Sequence, residues 1–242
     1  MFSIIIPTHK RSHLLKRAID SIKRQLCSHE IIVVSDVDCI DTFNVCKAHL
    51  GSGDYFVFLK NGKGPTDSRN AGIKIASSQF TIFLDDDDYF DINFLSSMVK
   101  YVQNSSEKSI YYCNFMVDNS RELTPCDLSA RNIEDLEVKN FIPNNCIIYP
   151  TEAIKQLCFN HIQYEDWDFL LQSTRLSSLR HIPIYGPIVY KKYVDTVSRG
   201  EENANHQLID CYRYIYKKFP PKSNYIEQER KRLFNSIGLE IF

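Results

Sequence analysis

Through the first hundred residues, short apolar runs alternate with apolar positions at helical spacing. Residues 3–6 form an apolar run that Pro7 stops, which predicts a buried strand. Leu15, Ala18, Ile19 and Ile22 share one face behind Ser12 and predict a helix over about residues 12–26. Runs at 31–34, 56–59 and 80–84 predict further strands. Asp67 or Ser68 caps a helix through Ala71, Ile73, Ile75 and Ala76, and a helix over 93–102 precedes a strand over 110–115.

Strands alternating with helices, and apolar along most of their length, imply an α/β fold with a mostly parallel central sheet covered by helices on both faces. Ligands of such sheets bind beyond the carboxyl ends of the strands. Thr8, Asp36, Asn61 and the run Asp85-Asp86-Asp87-Asp88 fall just there.

The second half is less regular. Residues 117–142 are polar and mixed and read as a loop. A strand over 145–149, a short helix capped by Thr151, a helix over 164–174 and an extended stretch over 179–193 follow. Residues 205–218 form an amphipathic helix with Leu208, Ile209, Tyr212, Ile215, Tyr216 and Phe219 on one side; Pro220-Pro221 ends it, and a last helix covers 224–236. The expected organisation is one domain over 1–200, with halves over 1–115 and 116–200, and a helical extension over 201–242. Lys and Arg outnumber Asp and Glu by seven to four over 205–242. That tail is expected to pack on the core; a dimer contact or a peripheral rest on an anionic membrane are the alternatives.

Composition narrows the field. A chain of 242 residues can fold around one core. Its 43% hydrophobic and 24% charged residues are ordinary globular values, and a net charge of -1 gives no reason to expect nucleic acid. No apolar run reaches the length of a membrane-spanning helix. The 8 cysteines include no CxxC pair and no histidines at zinc spacing. With no signal-peptide pattern before the first strand, they read as reduced, mostly buried thiols of a cytoplasmic protein.

Four consecutive aspartates at a strand end are either a solvated turn or a site that collects charge for a cation. Oxygen-only ligands suit Mg²⁺ or Mn²⁺. Five segments then stand in a telling order: Ser3-Ile4-Ile5-Ile6-Pro7-Thr8 with Arg11, Ile31-Ile32-Val33-Val34 with Asp36, Asp67-Ser68-Arg69-Asn70-Ala71-Gly72, Phe83-Leu84-Asp85-Asp86-Asp87-Asp88, and Glu165-Asp166-Trp167-Asp168. In these segments the chain resembles the inverting glycosyltransferases of family 2, which have the GT-A fold.

The resemblance implies a nucleotide-sugar donor, UDP-linked, and a saccharide or lipid-linked saccharide acceptor. It implies that Pro7, Thr8 and Arg11 hold the nucleotide, that Asp36 accepts a hydrogen bond from the base, and that Arg69 faces the nucleotide or diphosphate. Asn70 and Gly72 would let the backbone approach closely. Asp85 falls to the ribose side and Asp87 to the metal, with Asp86 beside them at the nucleotide sugar. Asp166 would be the base that takes the acceptor's proton, Glu165 would orient the acceptor, and Asp168 is the fallback base. Arg199, with Lys191 or Lys192, would neutralise phosphate after the last strand. A histidine metal ligand, if used, would be His181 or His206. Surface polysaccharide or lipopolysaccharide synthesis is the setting implied.

Three rivals carry less. A GT-A-like nucleotidyltransferase normally shows a glycine-rich loop after the first strand, and Pro7-Thr8-His9-Lys10-Arg11 has none. A non-catalytic sugar-binding module has no use for both Asp87 and Asp166. The missing GxGxxG after the first strand disfavours a dinucleotide enzyme.

Overall fold

The computed structural model describes residues 1–103, 109–191 and 204–236, the last from residue 208 onward in its side chains. The chain runs β1 (Phe2–Thr8), α1 (Ser12–Lys23), β2 (His29–Ser35), α2 (Ile40–His49), β3 (Tyr55–Phe58), α3 (Pro65–Ile75), β4 (Phe80–Phe83), β5 (Tyr89–Phe90) and α4 (Phe94–Val102). It continues with β6 (Ile110–Asp118), β7 (Leu123–Cys126), β8 (Ile147–Pro150), α5 (Thr151–Ile154), α6 (Glu165–Ser173), β9 (Leu179–Tyr190), α7 (Ala204–Lys218) and α8 (Asn224–Ser236).

The strands form one sheet in the order β3-β2-β1-β4-β8-β6-β9-β5, with β7 on β6. It is parallel from β3 to β4 and mixed beyond, because β8 returns antiparallel to both β4 and β6. Every residue of β1 is buried, so both faces at the sheet's centre are covered. The chain leaves β1 toward β2 and β3, then crosses back to place β4 on the other side. Such a reversal opens a crevice at the carboxyl ends of β1 and β4.

Local sequence explains the helices that frame this crevice. Helix α1 buries Leu15, Ala18, Ile19 and Ile22 as expected, but stops at Lys23. Helix α3 starts at Pro65, earlier than the predicted cap: Gly64 supplies φ 80°, a turn that favours glycine, and proline suits the first helical position. Gly72 brings α3 onto β1, since a Cβ there would meet Ile5 Cγ2 at 2.4 Å. The close approach expected at Gly72 is therefore made to the sheet.

The predicted loop over 117–142 contains β7 and a 3₁₀ turn, Ile133–Glu137. Helices α7 and α8 pack on α6: Tyr212 and Tyr216 meet Trp167 edge-on at 5.3 and 6.4 Å, and Phe234 closes the cluster. Arg230, buried, donates to the carbonyls of Glu137 and Phe219 and lies over the Tyr216 ring. All eight cysteines are free; Cys46, Cys113, Cys146 and Cys211 are buried and Cys158 is exposed. No helix among the described residues is long and apolar enough to cross a membrane.

Candidate active site

The four aspartates after β4 form a tight turn, closed by the Asp88 N–H donating to the Asp85 carbonyl at 3.0 Å. Asp86 is fully buried and Asp88 nearly so, while the Asp85 and Asp87 side chains are 40% and 33% exposed. Asp86 accepts from Thr8 Oγ1 at 2.7 Å and pairs with Arg11 at 2.6 Å, an ion-pair contact rather than an aligned hydrogen bond. Asp88 accepts from Asn145 Nδ2 and from the Tyr190 backbone N–H, both at 2.9 Å. Burial, ahead of every other influence, pushes Asp86 up to about 6 and Asp88 well above the usual carboxylate range. Asp88 therefore resists ionisation most, which eases the repulsion in the run, while Asp86 stays mostly ionised at neutral pH against Arg11.

The other two are balanced by arginines. Arg11 donates to Asp87 at 2.8 Å, and Arg17 donates to the Asp87 carbonyl while lying 4.6 and 4.0 Å from the Tyr89 and Tyr190 ring centres. Arg69, almost wholly buried, donates one nitrogen to Asp85 at 2.7 Å and another to Glu165 at 2.6 Å. Burial opposes its charge, but Asp85 and Glu165 overcome that and raise its pKa. Arg69 thus ties the end of β4 to the start of α6. Asn70 strengthens the tie through reciprocal hydrogen bonds with the Phe159 backbone, at 3.0 and 2.8 Å.

Glu165, Asp166 and Asp168 occupy the first turn of α6, where the helix dipole favours acids. Asp166 accepts from the Trp167 N–H at 2.8 Å and from Asn140 Nδ2 at 3.3 Å. Burial first, then the neighbouring Glu165 charge, lift Asp166 to about 6, with Arg69 pulling the other way. A carboxylate so placed suits proton transfer near neutral pH. Asp168 has another task. It is fully buried and takes Lys218 Nζ at 2.6 Å, Asn160 at 2.6 Å and Gln172 at 2.9 Å, so it cannot serve as the fallback base.

A cleft of about 280 Å³ gathers Pro7, Thr8 and Arg11 from the end of β1, Asp36 from β2, Arg69 from α3, Asp85 from β4 and Glu165 from α6. Asp86, expected among the nucleotide-sugar residues, is buried and touches the cleft residues Thr8 and Arg11 rather than lining the cleft itself. Asp36 is held on both oxygens, by His9 Nδ1 at 2.7 Å and the Gly64 N–H at 2.9 Å. His9 and Ser68 also line the cleft, and sequence reasoning passed over both. The only signal for His9 was its place beside Pro7-Thr8. Arg17 and Asn140 gave no local signal. His181 is bonded to Asn114 at 2.8 Å on the β6–β9 pairing and is not among the cleft residues. Arg199 and Lys192 lie outside the described residues, as does the side chain of His206.

The family model for glycosyl transferase family 2 matches residues 3–156. The chain belongs to glycosyl transferase family 2. Among family 2 relatives, the UDP-Glc:alpha-D-GlcNAc-diphosphoundecaprenol beta-1,3-glucosyltransferase WfaP of Escherichia coli is 22% identical over 99% of this chain and 88% of its own length. The GalNAc(5)-diNAcBac-PP-undecaprenol beta-1,3-glucosyltransferase of Campylobacter jejuni is 35% identical over 58% of this chain and 47% of its own. Among solved structures, S. aureus TarS 1-349 in complex with UDP-GlcNAc superposes with TM-score 0.72 at 17% identity, covering 99% of this chain and 73% of TarS. A mannosyltransferase from Pyrobaculum calidifontis, solved with GDP-Man and Mn²⁺, gives TM-score 0.67 at 14% identity over 95% of this chain and 68% of its own. The fold of this family 2 glycosyltransferase is GT-A.

GT-A enzymes commonly use a divalent cation, and the donor set here can be tested for one. No group of three or more His, Cys, Asp or Glu side chains that could cage a metal occurs among the described residues. What the chain presents is two part-exposed carboxylates, Asp85 and Asp87, each also held by an arginine, in the turn after β4. Such hard oxygen ligands fit Mg²⁺ or Mn²⁺ when substrate phosphates complete the shell. The residues therefore fit a cation shared with a diphosphate.

Proposed function

We propose that this protein is an inverting glycosyltransferase moving a sugar from a UDP-sugar to a saccharide or lipid-linked saccharide acceptor. The observation that carries the reading is Arg69, which joins Asp85 on the donor side to Glu165 on the opposite wall at 2.7 and 2.6 Å. Two carboxylates from separate elements thus face one cleft. The names of relatives support the substrates, because two act on undecaprenol-linked diphosphosaccharides and one neighbour holds UDP-GlcNAc.

In this reading, Pro7, Thr8, Arg11, Asp36 and Asp85 hold the nucleotide sugar, with Arg199 on its phosphates. Asp87 and Asp85 would hold Mn²⁺ or Mg²⁺, and the cation would supply positive charge to the diphosphate leaving group. Glu165, fixed by Arg69, orients the acceptor. Asp166 takes the hydroxyl proton as the acceptor oxygen bonds to the anomeric carbon from the face opposite the departing diphosphate, so configuration inverts. Residues 1–115 form the donor half, 116–200 the acceptor half, and 201–242 an extension. The reaction takes place in the cytoplasm at the inner membrane face, in assembly of a surface polysaccharide.

The test is a panel of nucleotide sugars scored for metal-dependent hydrolysis and transfer. UDP-sugars should be turned over with Mn²⁺ or Mg²⁺ and not with chelator. Asp87→Ala should abolish metal-dependent hydrolysis and transfer. Turnover that ignores chelator would remove the cation from the scheme.

A further inference from the structure

A second groove, of about 670 Å³, lies between the 131–141 segment and α8. It opens beside the candidate base, because Asn140 lines it and also donates to Asp166 at 3.3 Å. Lys139 and Phe141 flank Asn140, one Cα step of about 3.8 Å to either side. Val138, Phe141 and Leu233 supply an apolar floor. The acids of this groove have other partners, Asp135 accepting from Tyr225 Oη at 2.6 Å and Glu229 pairing with Arg232, and the cations Arg131, Lys139 and Arg232 outnumber these two carboxylates. Arg131 lies over the Phe141 ring at 5.9 Å, and no carboxylate among the described residues pairs with Arg131 or Lys139. Two cations are thus left uncommitted over an apolar floor, next to the group that touches the base.

We infer that this groove seats the phosphate or diphosphate of a lipid-linked acceptor, so that the attached saccharide extends past Asn140 to Asp166. The inference rests on the glycosyl-transfer reading above. Charge complementarity selects the ligand. A neutral saccharide would leave Arg131 and Lys139 without a counter-charge, and a free phosphate would make no use of the apolar floor. A phosphate ester on an aliphatic chain satisfies both at once.

The probe is farnesyl diphosphate, titrated by calorimetry into protein whose donor cleft is filled with saturating UDP and Mg²⁺. Farnesol and inorganic diphosphate are the comparison arms. Farnesyl diphosphate should bind wild type at least about tenfold more tightly than either comparison ligand, and the Arg131→Ala/Lys139→Ala double variant should lose about tenfold or more of that affinity. Equal affinity in the double variant overturns the site. Equal binding of inorganic diphosphate overturns the lipid-linked source, and equal binding of farnesol overturns the role of charge. UDP titrations on the same proteins separate the failures. Wild type that binds neither UDP nor UDP-sugar sinks the transferase reading itself, whereas intact UDP binding with no response to farnesyl diphosphate sinks this inference alone.

Discussion

Asp166, part-buried and bonded to Asn140, holds its proton to about 6, and that combination has kinetic and thermodynamic consequences. A base must be deprotonated to act, so kcat/KM for transfer should fall with unit slope as pH drops below about 6. Asp166→Asn should reduce transfer about a hundredfold or more while leaving UDP binding intact, as measured by initial rates and titration. A carboxyl raised above its unfolded value contributes stability below the unfolded pKa, and loses it as pH rises through the folded one. Asp166→Asn should therefore raise Tm relative to wild type at pH 7, with the gain shrinking as pH falls below about 6. A variant no more stable at pH 7 would contradict the raised value. Individual roles were only partly legible at this scale. Asp85 and Glu165 were readable as cleft residues because they flank regular elements. The inward turn of Asp86 and Asp168 was not, because their partners Thr8, Arg11 and Lys218 lie 50 or more positions away.

Among the elements, the interface of α6 with α7 shows how a residue with a catalytic look can be structural. Lys218, at the end of α7, supplies the charge that keeps Asp168 buried. Lys218→Met should destabilise the protein by about 2–3 kcal/mol, since a buried carboxylate would keep only neutral donors. Denaturant unfolding at pH 7 measures it, and Lys218→Arg should recover part of the loss. Elements were legible where their apolar face met the core, as in α1 and β1. Helix α2 was not, because its pattern is inverted: Ile40 and Phe43 are exposed while Thr42 and Cys46 are buried. In the 117–142 stretch, β7 has three exposed residues, so tertiary pairing with β6 decides its conformation rather than its own pattern.

For the molecule as a whole, the same hydrophobic core runs from β1 through Trp167 into Tyr212, Tyr216, Phe219 and Phe234. Four such side chains at about 2 kcal/mol each are comparable with the entire net stability of a domain, about 5–15 kcal/mol. A chain cut after residue 203 should therefore aggregate or melt without a cooperative transition, whereas a merely appended tail would leave Tm unchanged. Calorimetry of the truncated and full chains decides between them. The parallel half of the sheet and the crevice at its reversal followed from the strand–helix order. The antiparallel return of β8 did not, because nothing local to 147–150 encodes which neighbour it meets.

The four aspartates after β4 divide their tasks within one tight turn. Asp85 and Asp87 stay part-exposed while Asp86 and Asp88 anchor the wall, and the bond from the Asp88 N–H to the Asp85 carbonyl holds that division, so a residue inserted or deleted within the turn would break the bond and scramble the two sets. This stretch should therefore accept conservative substitution far more readily than any change in length, and recombination between relatives should preserve its spacing even where its letters differ.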